Sequence, residues 1–272
     1  MNGMTYLQAT LLGALQGLTE FLPVSSSGHL VLLQHLFGLH EPALIFDLFV
    51  HIATLVAVLA MYRQDVHALF MAWFSPRNGI VGNDLERASA RRLGLLLVLA
   101  NIPTAAIGLL FESTFEQFFS TPWIVGIALL LTGALLWLSR PASDRQGGTS
   151  EVGMAHAILL GCTQGLAITP GISRSGSTIA IALLCGVSRE SAARFSFLMA
   201  VPAILGAALL KSASVSTLAM AELNLVIAGM LSALVVGYIA LRYLIRLVMQ
   251  GELWRFAFYC WAIGLTAILF AR

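Results

Sequence analysis

Two short stretches hold most of the residues able to act on a substrate. The first reads Gln16-Gly17-Leu18-Thr19-Glu20-Phe21-Leu22-Pro23-Val24-Ser25-Ser26-Ser27-Gly28-His29, and the second Pro170-Gly171-Ile172-Ser173-Arg174-Ser175-Gly176-Ser177-Thr178. The second is made of donors. Arg174 offers a planar fork that matches phosphate oxygens. Ser173, Ser175 and Thr178 offer hydroxyls, and a helix opening at Gly176 presents free backbone N–H groups and the positive end of its dipole. Together with Ser25 and Ser27 these residues make a candidate cradle for a phosphate. The plainer reading is an N-capping serine beside a snorkelling arginine.

The first stretch supplies reacting groups. Ser26 and His29 are three apart and share a face of a helix that starts near Ser26, which suits a nucleophile and its base. Glu20 is placed to orient His29 or to hold a divalent cation. The plainer reading is a serine-rich helix cap with a polar neighbour. The candidate catalytic residues are therefore Glu20, Ser26, His29 and Arg174. Whether Ser26, His29 or water attacks stays open, with Ser26 assisted by His29 preferred. Asp47 and His51, four apart on the first full span, could extend a polar network or bind a cation; the plainer reading is that they satisfy each other within a bundle. Asn101 beside Pro103 is expected to serve backbone groups opened near the proline.

The elements that position these residues follow from composition. Of 272 residues 58% are hydrophobic and 10% charged, against about 25% charged in soluble domains, so lipid is the solvent for much of the chain. A net charge of +2 gives no reason to invoke nucleic acid. Cys162, Cys185 and Cys260 sit in apolar stretches without metal or disulfide spacing and read as small hydrophobes. No basic start of a secretory signal precedes Arg63. Segments 44–61, 93–111, 121–138, 192–210, 223–241 and 254–270 are apolar enough to span. Segments 5–22, 28–39, 152–168 and 176–186 are shorter and fall into two pairs, each broken by one of the polar stretches, so they read as re-entrant half-helices.

With each pair returning to its own side, twelve of the fifteen basic residues fall on one side and two, Lys211 and Arg272, on the other; Arg174 lies in a break. The positive-inside rule makes the first side cytoplasmic, so both termini and the mouth of the first pair face outward.

The pairs also resemble each other. Leu12-Gly13-Ala14-Leu15-Gln16-Gly17-Leu18 matches Leu160-Gly161-Cys162-Thr163-Gln164-Gly165-Leu166, an offset of 148 residues that also relates Gly28 to Gly176. The expected fold is an all-α polytopic membrane protein forming one integral domain, 1–272. It is built from two inverted-topology repeats, about 1–139 and 149–272, each a re-entrant helix pair plus three transmembrane helices. Such repeats set their broken helices face to face near the midplane, where the site lies. They also mark secondary transporters, so a lipid-phosphate flippase using the same site is the competing class, separated from an enzyme by turnover in detergent without a gradient.

At both stretches the sequence resembles the undecaprenyl-diphosphate phosphatase family, the bacitracin-resistance phosphatases. Residues 16–29 are similar to the family's first signature and 170–178 to its second; Gly186-Val187-Ser188-Arg189 and Phe195-Ser196-Phe197-Leu198-Met199-Ala200-Val201-Pro202 extend the likeness. The resemblance implies hydrolysis of a long-chain isoprenoid diphosphate to its monophosphate, recycling the carrier for cell-wall glycan synthesis in a bacterial inner membrane. It implies a divalent cation, Mg²⁺ or Ca²⁺, held in part by Glu20. The family often has Glu where this chain has Gln16, a weaker ligand and no base, which moves weight onto Glu20. Besides the isoprenoid diphosphate the expected partners are membrane lipids; a homodimer is left open.

Overall fold

The computed structural model describes residues 4–36, 44–74, 84–143, 148–212 and 220–270. The elements, in order, are α1 (Tyr6–Phe21), α2 (Ser26–Leu36), α3 (Leu44–Met61), α4 (Arg63–Phe74), α5 (Asp84–Leu110), α6 (Glu112–Phe119), α7 (Pro122–Leu138), the single turn α8 (Arg140–Ser143), α9 (Met154–Leu166), α10 (Arg174–Leu184), α11 (Arg189–Ser212), α12 (Met220–Gln250), a 3₁₀ turn Leu253–Arg255, and α13 (Phe256–Phe270). Among the described residues there is no β-strand, only a bridge between Thr149 and Val187. Arg77, Arg145, Arg272 and both chain ends lie outside the described residues.

Four helices are long and apolar enough to cross a membrane: Asp84–Leu110, Pro122–Ala142, Arg189–Leu210 and Leu223–Gln250. Taken together α3 and α4 have the length and composition for a fifth, but they are bent by 82° at Tyr62. The sixth expected span, α13, is apolar but has only 15 residues, short of the roughly 20 that cross a hydrocarbon core upright. The chain is thus an all-helical, multi-pass membrane protein. Leu95, Val98 and Ile102 on α5 and Leu231, Val235 and Ile239 on α12 stand exposed, an outer surface suited to lipid rather than water. The spacing did not anticipate α4 or α6. Both lie in stretches without a spanning run, and α4 exposes Phe70, Trp73 and Phe74 together.

The half-helices end where their sequences require it. A capping box starts α1: the Thr5 N–H donates to Gln8 Oε1 at 2.8 Å, and the Gln8 N–H donates to Thr5 Oγ1 at 3.3 Å. Pro23 follows α1 and has no N–H to extend it. In α10 the Ser173 hydroxyl caps the Gly176 N–H at 3.1 Å.

Each pair's first helix lies along a long helix of the other half: α1 along α12 and α9 along α5. Gly13 abuts Gly229 and Gly17 lies between Ala233 and Gly237, so α1 and α12 run parallel. Gly161 abuts Ala100 and Gly165 faces Ile107, so α9 and α5 also run parallel. A Cβ at Gly13 or Gly161 would run into a backbone carbonyl of the partner helix; small residues four apart are what bring two helix backbones this close. Asn101 does serve backbone near a proline, though chiefly on a neighbour. Its amide donates to Leu97 O at 2.8 Å and across to Met199 O at 3.1 Å, three residues before Pro202 of α11.

Candidate active site

The two breaks touch each other. A Cβ on Gly28 would lie 3.0 Å from Gly171 N, and one on Gly176 would lie 2.9 Å from the Pro23 Cβ. Under the offset of 148, Gly28 corresponds to Gly176 and Pro23 to Gly171. The contact is therefore reciprocal: what 28 does to 171, 176 does to 23. Polar stitches reinforce it. The Gly171 N–H donates to Ser25 Oγ at 3.0 Å, and Ser175 Oγ donates to Phe21 O at 2.8 Å. The Gly171 bond has no counterpart from Pro23, which lacks the donor. Ser25 is the one described non-glycine residue with positive φ, at 68°, a conformation sustained by these surroundings.

On this frame Glu20 is the hub. Its carboxylate is 7% exposed and every approach to it carries a donor or a cation. Oε1 is paired with the Arg174 guanidinium. Oε2 accepts from Ser26 Oγ at 2.6 Å and from Gln16 Nε2 at 3.0 Å, with His51 Nε2 at 3.6 Å. Arg174 comes from the opposite half of the chain, so the ion pair also bridges the halves. A buried carboxylate is tolerated because it is paired and hydrogen-bonded.

His29 belongs to a second cluster. Its Nδ1 faces Ser25 O at 2.8 Å and its Nε2 faces Tyr259 Oη at 2.9 Å. The helix α2 does start at Ser26, as expected, yet Ser26 is bonded to Glu20 and not to His29. Ser26 and His29 are therefore not hydrogen-bonded to each other, and the side chain that Ser26 meets is Glu20. Ser26 sits at the end of the break, where its hydroxyl turns back to α1, while His29 points one face further round toward α13.

The cradle residues surround this site, and most of their hydroxyls are used within the protein. Ser173 caps α10, Ser175 holds Phe21 O, and Thr178 Oγ1 is 2.5 Å from Ser196 Oγ and donates to Arg174 O at 2.8 Å. Ser25 Oγ is 3.4 Å from both Ser27 Oγ and Gly28 N. Ser177 Oγ is buried without a hydrogen-bond partner. Arg174 has 19% of its side chain exposed and His51 28%, against 6% for Glu20.

Sequence reading left His51 outside the candidate site, preferring its pairing with Asp47 to a wider polar network, and missed Tyr259 altogether. Asp47 and His51 do not satisfy each other through their side chains. His51 Nδ1 lies 2.6 Å from the Asp47 backbone carbonyl, which frees Nε2 to face Glu20, while Asp47 Oδ1 accepts from Gln34 Nε2 at 2.8 Å. An ionisable residue in a span is itself the signal that was there to be used. Tyr259 carried no such signal.

Among the described residues no group of three His, Cys, Asp or Glu side chains is placed to hold a metal. One oxygen does stand out beside Glu20. Gln16 is wholly buried, its Nε2 is committed to the carboxylate, and its Oε1 has no partner. Flipping the amide would set oxygen against carboxylate oxygen, so the unpartnered atom is the acceptor. Carboxylate and amide oxygens are the donor types that Mg²⁺ and Ca²⁺ take.

The profile of the bacitracin resistance protein BacA family matches residues 9–266. The chain is 47% identical to the undecaprenyl-diphosphatase of Desulfosudis oleivorans, over 96% of this chain and 97% of that protein. It is 41% identical to that of Desulfatibacillum aliphaticivorans, over 98% and 99%, and 39% identical to that of Methanosphaera stadtmanae, over 97% of each. Signatures on both breaks, the helices that carry them and a likeness running end to end agree: this chain belongs to the bacitracin resistance protein BacA family.

Proposed function

We propose that this protein hydrolyses undecaprenyl diphosphate to undecaprenyl phosphate and inorganic phosphate, as its relatives' names describe for them. The observation that carries the reading is Glu20, held between the guanidinium of one half and the hydroxyl of the other. Arg174 is the group to receive the diphosphate. As it turns from Glu20 to a phosphate oxygen, it releases Oε1 and leaves the carboxylate with Ser26. Ser26 Oγ attacks the terminal phosphorus and gives its proton to Glu20; the Oγ–P bond forms, the bridging P–O bond breaks, and the lipid monophosphate leaves. Water then attacks the phosphoserine, the Oγ–P bond breaks, Ser26 recovers its proton from Glu20, and inorganic phosphate departs carrying both protons of the water. Positioning and charge neutralisation do most of this work.

A divalent cation fits beside this machinery. Glu20 and the unpartnered Gln16 Oε1 would hold it, with diphosphate and water completing the shell as Mg²⁺ sites ordinarily require. Bound there, it supplies positive charge against the charge that develops on the phosphates.

The bacterial inner membrane is the proposed location, with the site opening to the periplasm and both termini on that side. The asymmetry of basic residues supports this orientation. The reciprocal contacts at Gly28 and Gly176 support two repeats of inverted topology. The test is phosphate release by purified protein in detergent, where a transporter has no gradient to use. Multiple turnover, lost in Arg174→Ala, supports the enzyme; substrate binding without phosphate release refutes it.

A further inference from the structure

The helix α4 leaves α3 at an angle of 82° and is pinned near both of its ends. Near its start Asp65 pairs with Arg194 of α11, and Tyr62 stacks on Phe197 with ring centroids 6.2 Å apart. Near its end the Arg91 Nε–H of α5 donates to Ala72 O at 2.8 Å. Trp73 lies over Gly94, where a Cβ would be 2.9 Å from its Nε1. The two pins hold equivalent places on their helices. No charged residue follows Arg194 in 195–210, and none follows Arg92 in 93–111; both runs belong to candidate spans. Each pin therefore marks the level at which a helix passes from the headgroups into hydrocarbon. Tied to two such levels, α4 runs along the membrane surface and not into it.

The exposed surface of α4 is sorted to match. At 3.6 residues per turn, Trp73 stands at one edge of the exposed arc and Gln64 and Ala68 at the other. The row between them begins with Arg63 and His67 and ends with Phe70 and Phe74. Phe70, Trp73 and Phe74 are 59%, 51% and 74% exposed, three aromatic rings together at the height where chains meet headgroups. Aromatic rings gather at that boundary because it offers them apolar contact, and an arginine one or two turns away reaches lipid phosphate from there. The height of the patch, set by Arg91 and Arg194, thus names what covers it.

We propose that α4 is an interfacial helix whose partner is the bilayer itself. Phe70, Trp73 and Phe74 lie at the boundary of headgroups and acyl chains, Arg63 reaches the lipid phosphates, and Gln64 and Ala68 face water. Held by lipid on one side and by Arg91 and Arg194 on the other, α4 fixes the depth of α3, the helix that brings His51 to Glu20. None of this depends on the reaction proposed above.

Nitroxide labels at Phe70→Cys, Phe74→Cys and Gln64→Cys, each in a cysteine-free background, report the solvent around α4 in vesicles of phosphatidylcholine and phosphatidylglycerol. Oxygen concentrates in lipid, whereas a nickel chelate stays in water. At 70 and 74 relaxation by oxygen should exceed relaxation by nickel, and at 64 the order should reverse. An unchanged Tm shows that each labelled protein is folded. Nickel ahead of oxygen at 70 and 74 places the aromatic patch in water and overturns the proposal. Low access to both reagents there, or dipolar broadening between labels on two copies, shows protein covering α4 and overturns it as well. Oxygen ahead at all three positions, 64 included, puts α4 inside the hydrocarbon and removes the surface position.

Discussion

Ser26 and Arg174 are the first residues of the two half-helices, equivalent under the offset of 148, and both end on one carboxylate, Ser26 on Oε2 and Arg174 on Oε1 of Glu20. Two positions matched by that offset thus meet on one side chain, with a hydroxyl at one and a guanidinium at the other. The position equivalent to Glu20 in the second half is Ile168, and that equivalent to His29 is Ser177. The backbone contacts are doubled while the reactive groups occur once.

Arg174→Lys keeps the charge and loses the fork. We expect kcat/KM to fall by about 100-fold, because an ammonium cannot bond a phosphate through two parallel N–H groups. Phosphate release from a lipid diphosphate in detergent measures it. Near-normal turnover would reduce Arg174 to a structural partner of Glu20.

Ser26→Ala should abolish turnover while leaving substrate binding largely intact, and Glu20→Gln should cut kcat by at least about 100-fold, since the amide cannot take the hydroxyl proton. A chiral terminal phosphate should emerge with retained configuration, because two displacements invert it twice. Quenched wild-type enzyme should carry an acid-stable phosphoserine. Inversion points to direct attack by water, and an acid-labile adduct on His29 to histidine attack; either outcome removes Ser26 as the nucleophile.

Ser25 separates strain from hydrogen bonding. Its φ of 68° disfavours any side chain, by roughly 1–2 kcal/mol relative to glycine, whereas its hydroxyl accepts the Gly171 N–H, a buried bond whose loss costs about 1–3 kcal/mol. Ser25→Gly relieves the first and loses the second; Ser25→Ala keeps the strain and loses the bond. The expected order of Tm is wild type, then Gly, then Ala. Equal Tm for Gly and Ala would show that the strain is not there to be relieved.

Gly161→Leu should destabilise by at least about 1–3 kcal/mol, because the added side chain meets the Ala100 carbonyl of the parallel helix. Gly206, with nothing within 4 Å of a Cβ, is the control: Gly206→Ala should be neutral or stabilising by up to about 1 kcal/mol. Thermal unfolding in one detergent compares them, and a well-tolerated Gly161→Leu would mean that α9 and α5 are not in fixed contact.

Orientation is tested by labelling. In a cysteine-free background, a cysteine within 75–83 should be protected from an impermeant thiol reagent in intact cells, and one at Glu116, exposed on α6, should react. Labelling of 75–83 from outside would reverse the assigned sides.

Much of this was legible in the sequence because lipid enforces it. Apolar length gave the four long spans, and α1, α2, α9 and α10 begin within two residues of the expected segments. The convergence of Glu20 and Arg174 followed from matching breaks. The partners of Ser26 and His29 did not. Ser26 reaches Glu20 across a break rather than along a helix turn, where i,i+3 reasoning has no purchase. Tyr259 reaches His29 from 230 residues away, and a tyrosine in an apolar helix reads no differently from an interfacial one. His51 was paired with its neighbour Asp47, whose backbone carbonyl rather than side chain lies against its Nδ1.

The reciprocal clasp of the breaks also sets an order of assembly. The Ser25 hydroxyl takes the N–H of Gly171, and the Phe21 carbonyl is met by Ser175. Both partners are made 146 to 154 residues later than the groups they satisfy. Until they arrive, the nascent first half carries an interrupted backbone with polar groups that hydrocarbon cannot solvate. Residues 22–25 are therefore expected to stay within reach of water until the second half has been synthesised.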